Sequence, residues 1–150
     1  MAKKPTTADA QLLLQLYDLR REPELRKARS WWLTEFWPAN PDDFAKVAGA
    51  MGTQQNAWLR QASSYWSMAA SLVLHGTLNA ELFLQTTHSG EMYFILAKVH
   101  PFLKELREKM GDPNLFLNIE KLINSSKVSR ERLQFTIKRV EQMREKRKAI

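Results

Sequence analysis

The chain has 150 residues, 44% of them apolar, with five glycines and six prolines. That is the length of one ordinary domain, and the composition supports a core and excludes a low-complexity chain. There is no cysteine, which excludes disulfides, thiolate nucleophiles and thiolate metal sites. The net charge of +7 is unevenly spread: residues 1–30 carry seven Lys/Arg against four Asp/Glu, and residues 127–150 carry nine against three. Between them, residues 31–100 hold only three basic and five acidic side chains, so the middle reads as core and the ends as basic surface.

The lysines and leucines of "MAKKPTTADAQLLLQLYDL" imitate a signal peptide, but the apolar run Leu12–Leu14 is too short and lies between Asp9 and Asp18. The longest apolar stretch, "SMAASLVLHG", is far below a membrane span, and a cytoplasmic protein is the expectation. No strand alternation of useful length occurs, whereas helical spacing runs almost throughout. The expected fold is all-α: a single domain over 1–150, an irregular bundle of about seven helices without a sheet, with 141–150 as a fraying basic helix end.

A first helix follows Thr6 or Thr7 as cap and stops at Glu22, because Pro23 disfavours helical geometry in the residue before it. Pro23 then opens a second helix, expected to reach about Trp37. "PANPDD" turns into a short helix from Asp42 to about Ala50. Thr53 caps the next, which closes at His75–Gly76. Asn79 is expected to cap a helix through Thr86, "THSG" to interrupt, and a long helix to run from about Glu91 to Met110 with a kink ahead of Pro101. Asp112–Pro113 should start a short helix. Ser129 should cap the last one, with Val128 and Leu133 as a hydrophobic staple.

In the second helix, steps of about 100° per residue put Leu25, Ala28, Trp32, Leu33 and Phe36 on one apolar face, with Trp31 and Trp37 at its margins. Packing accounts for this density if Trp31 and Trp37 close the edges of the core. A binding account needs both rings exposed, lining a cleft or docking a partner. Arg29 falls on the apolar side, where a guanidinium must snorkel, stack or meet a carboxylate such as Glu81 or Glu91. In the fourth helix, Trp58, Ala62, Tyr65, Trp66, Ala69 and Val73 form the apolar stripe, and Ser63, Ser67 and Ser71 a line of small side chains. That line is expected to admit the Glu91–Met110 helix closely, or else a second copy of the chain.

The chemistry of catalysis is poorly represented. His75, His88 and His100 stand on different elements, Glu-x-x-His is absent, and no phosphate-cradling glycine pattern or G-x-S-x-G turn occurs. No metal, cofactor or catalytic residue is expected. A polar pocket formed by Arg29, Glu81, His88 and Glu91, with Trp31 and Trp37, remains the small-molecule alternative. On the last helix the apolar face of Leu133, Ile137 and Val140 continues into Arg144 and Arg147. Lys138, Arg139, Arg144, Arg147 and Lys148 are therefore the candidate contacts to nucleic acid or another polyanion, set against a merely solvated helix end.

The stretches "LYDLRREPELRKARSWW", "HGTLNAELF" and "VHPFLKELREKMGDPNLF" together resemble uncharacterised all-helical bacterial proteins of unknown function. In these, a Trp-rich helix precedes a Gly–Leu turn and a helix ending near Leu-x-x-x-Arg. The resemblance covers about Leu16–Asn124; it implies a helical fold and carries over no site residue and no activity. The expected function is therefore a non-enzymatic interaction module that binds a protein partner or itself.

Overall fold

A computed structural model describes residues 3–150 and contains helices and turns without a strand among them. In chain order these are α1 (Thr7–Leu19), α2 (Pro23–Thr34), α3 (Pro41–Gly49), α4 (Gln54–Leu74), α5 (Ala80–Phe83) and α6 (Thr86–Val99). A 3-10 turn (His100–Phe102) follows, then α7 (Leu103–Met110), α8 (Leu117–Ile123) and α9 (Lys127–Lys148). The expected Glu91–Met110 helix is divided at Pro101, whose missing N–H and ring break the ladder, so the bundle has more segments than the spacing suggests.

Most starts follow local capping chemistry. Thr6 and Asp9 form a reciprocal capping box before α1, Asn40 caps α3, Thr53 caps α4 and Asn79 caps α5. Glu22, expected as the last residue of the first helix, instead caps α2 by accepting from the Leu25 N–H, with Pro23 in the first helical position. Five other boundaries differ from expectation. α2 stops at Thr34 rather than Trp37, because Pro38 biases Trp37 away from helical geometry. α5 is a single turn, and "THSG" lies inside α6 rather than interrupting it: Ser89 is buried there, its hydroxyl bonded to the Gln85 carbonyl. The Asp112–Pro113 segment stays a turn, and α8 begins only after Phe116. Ser126, not Ser129, caps α9, so the proposed staple residue Val128 is left 67% exposed.

α4 packs chiefly on α2 and α8, and α6 is at most a minor neighbour, so the serine line of α4 is not the main seat of the helix it was expected to admit. α6 packs on α9, and α3 on α7. At the centre lie the rings. Trp31 stacks on Phe36 with centroids 4.5 Å apart, and Trp32 meets Phe36 edge-on at 5.0 Å. Phe116 closes this cluster against Trp32 and Phe44, and to reach it the residue takes a left-handed φ of 59°. Strain of about 1–2 kcal/mol in that conformation is offset by burial of a whole phenyl ring, about 1.5–3 kcal/mol.

Candidate functional site

Three places on this scaffold gather polar or reactive side chains. The first ties α1, α2 and α6 together. Arg29 grips Glu91 with both edges of its fork, Nε to Oε2 at 2.7 Å and Nη2 to Oε1 at 2.5 Å, while Nη1 donates to the Arg20 carbonyl at 2.9 Å. The bond to Glu91 raises the Arg29 pKa further above its ordinary value. His88 joins only through its backbone: its carbonyl accepts from Arg20, and its ring Nδ1 turns to the Leu82 carbonyl at 2.8 Å. Glu81 lies exposed on α5 and lines a different depression, between α5 and α9. The expected four-residue pocket thus does not assemble; Arg29 and Glu91 saturate each other, a packing solution to a charge on an apolar face.

Trp31 is also removed from any surface role. It is 5% exposed, because its ring stacks inside the core against Phe36. Trp37 is half-buried, with its indole N–H donating to the Thr34 carbonyl at 3.1 Å.

The second place is a groove of about 560 Å³ between α6 and α9. Leu33, Phe94, Phe135 and Met143 supply apolar walls, and Arg132 and Arg139 stand along α9 beside them. Phe135 is 61% exposed, with the Arg139 guanidinium 5.9 Å from its centroid. Arg132 lies over Tyr93 and donates to the Leu84 carbonyl, and Tyr93 in turn shares a 2.6 Å hydrogen bond with the buried Ser129 hydroxyl. Arg132 and Tyr93 are therefore held in place, whereas Phe135, Arg139 and Met143 are exposed.

The third place surrounds Trp37. Lys98, fully buried on α6, sets its ammonium 3.8 Å from the indole centroid and donates to the carbonyls of Trp32 and Phe36 at the C-terminal end of α2. Arg144 and Arg147 of α9 come over the same ring, at 5.8 and 4.9 Å, donating to the Lys98 and Thr34 carbonyls. Burial, then the charges of Arg144 and Arg147, pull the Lys98 pKa down from 10.5 to about 7. Burial likewise lowers that of Arg144. The five basic residues expected to form one contact surface are thus divided: the half-buried Arg144 and the exposed Arg147 both bond back to carbonyls of the body, while Lys138, Arg139 and Lys148 are exposed. α9 is helical to Lys148.

The spacing-based reading missed Lys98, Phe94, Arg132, Phe135 and Met143. Two of them carried a signal: Lys98 is the lone charge in the apolar run Met92–Val99, and Phe135 sits about 160° from Leu133 on the helix, off the packing stripe. Among the described residues no three His, Asp or Glu side chains gather as a metal site, and no helix is long and apolar enough to cross a membrane.

Residues 5–126 match a family described as a domain of unknown function, DUF4760. The chain belongs to that family. The DUF4760 match covers α1 to α8 and ends one residue before α9, so it bears on the scaffold beneath the groove and not on the helix that supplies Phe135, Arg139 and Arg144. No curated protein and no solved structure matches the chain.

Proposed function

We propose that the chain is a non-catalytic binding module whose working surface is the α6–α9 groove, and that its partner is an acidic protein segment presenting a large apolar side chain. The observation that carries this reading is Phe135, an aromatic side chain left 61% exposed at the mouth of an apolar groove. Exposed aromatics beside arginines have the composition of interface hot spots. Charge selects the partner: Arg132 and Arg139 line the groove against one carboxylate, Glu91, which Arg29 already neutralises. A twofold contact through this face would set α9 against α9 and bring like charges together, which disfavours a second copy of the chain as occupant. A polyanion spread along α9 has less support, because the basic residues point to different sides of the helix.

The test uses a fluorescein-labelled amphipathic model helix with leucines on one face and glutamates on the other, and its lysine counterpart. Anisotropy should show binding of the acidic peptide alone, and Phe135→Asp and Arg139→Glu should each weaken it roughly ten-fold or more. Equal binding by Phe135→Asp, or preference for the basic peptide, refutes the assignment. So does a concentration-dependent dimer in sedimentation that Phe135→Asp abolishes, which would give the groove to a second copy.

A further inference from the structure

The Trp37 cluster is over-supplied with positive charge. Lys98, Arg144 and Arg147 crowd one indole, and among the described residues none of the three makes an ion pair. Their hydrogen bonds go to backbone carbonyls near the ends of α2 and α6, where the helix dipoles offer only partial negative charge. A recess of about 440 Å³ opens beside them between α9 and the 3-10 turn. Ala39, Pro101, Phe102 and the Trp37 ring give it an apolar side, and Arg144, Arg147 and Lys148 a cationic one. Glu141 also lines it, Asp43 acts on Arg144 from a distance, and Glu145 pairs with Lys148 at 3.3 Å, so Arg144 and Arg147 are the lining cations without an ion pair among the described residues. Lys98 stands behind the ring, its amino group 3.8 Å from the indole centroid.

We propose that this recess is an anion site taking a phosphate monoester with a small apolar or aromatic body. Two guanidiniums match phosphate oxygens in planar, forked geometry, and a dianion neutralises more of the cluster than a single carboxylate does. The apolar side gives the organic part a surface on which inorganic phosphate gains nothing. Recess and α6–α9 groove share no lining residue, so this site stands or falls apart from the proposed partner groove.

Calorimetric titration of the full chain with phenyl phosphate, inorganic phosphate and phenol tests it, together with the Trp37 indole N–H resonance. Phenyl phosphate should bind roughly ten-fold more tightly than inorganic phosphate and shift that resonance, and phenol should not bind. Arg147→Gln and Lys148→Gln, both at exposed positions, should weaken phenyl phosphate several-fold to ten-fold, with Arg139→Gln as an unaffected control. No phenyl phosphate binding at tens of millimolar, or equal binding by wild type and Arg147→Gln, overturns the site. Equal affinities for phosphate and phenyl phosphate overturn its organic specificity.

Discussion

Lys98 offers the sharpest quantitative test of the packing around Trp37, and Lys98→Met is the perturbation. In the unfolded chain the ammonium keeps its proton to about pH 10.5; in the folded one, buried and facing two arginines, it keeps it only to about 7. Between those values the unfolded state binds more protons, so stability rises with pH and is lost as pH falls toward 7. The wild type should therefore gain about 3 kcal/mol on the methionine variant between about pH 7 and pH 9.5. At pH 7 two effects oppose each other. Methionine removes the buried charge, yet leaves the Trp32 and Phe36 carbonyls without their donor, at about 1–3 kcal/mol each. That second cost does not vary with pH, so the slope rather than the offset identifies Lys98. Tyr65, whose hydroxyl burial raises to about 12, weakens stability only above about pH 10, and it is present in both proteins. Urea unfolding of both across this range supplies the curves. Curves that stay parallel within about 0.5 kcal/mol over this range would refute the claim that a buried lysine of lowered pKa sits there.

Other perturbations follow from the same contacts. Glu91→Ala should cost about 2–4 kcal/mol in urea unfolding by leaving Arg29 unpaired, and Arg29→Met with Glu91→Met should cost less than the two single changes summed. Tyr93→Phe should cost about 1–2 kcal/mol because it orphans the Ser129 hydroxyl; restoration by Ser129→Ala in the same background, read by thermal melting, checks the pairing. Phe116→Gly should remove the left-handed strain but lose more in burial, a net destabilisation of about 1–3 kcal/mol; a gain in melting temperature would contradict the ring's place in the core. Phe135→Asp, by contrast, should leave the melting temperature unchanged, since that ring packs on little of its own chain.

Much of the scaffold was legible because it rests on short-range chemistry. The caps at Thr53 and Asn79, the stop near Gly76 and the break at Pro101 all act within a few residues of themselves. Errors arose where distant packing overruled a local preference. "THSG" looks like an interruption, but burying Ser89 and Met92 holds the helix through it. Ser129 looks like a cap, yet its hydroxyl is needed by Tyr93, and Ser126 caps instead. Arg29 is intermediate: its place on an apolar face demanded a carboxylate, and only the fold could choose Glu91 over Glu81.

The basic C-terminal helix shows why charge counted along a sequence misplaces function. Its stripe of Leu133, Val140 and Arg144 is continuous in space, and the guanidinium at its end packs inward as the apolar residues do. It can do so because α2 and α6 end there with carbonyls no helical N–H can reach, and cations satisfy these carbonyls without a carboxylate. Burial first, and then the charges of Arg144 and Arg147, depress the Lys98 pKa. Positive charge that a core retains at such a cost either fastens the last helix to the body or waits for an anion. The two roles separate on one measurement: if fastening alone is at work, phosphate monoesters leave the melting temperature of the wild type and of Arg147→Gln equally unmoved.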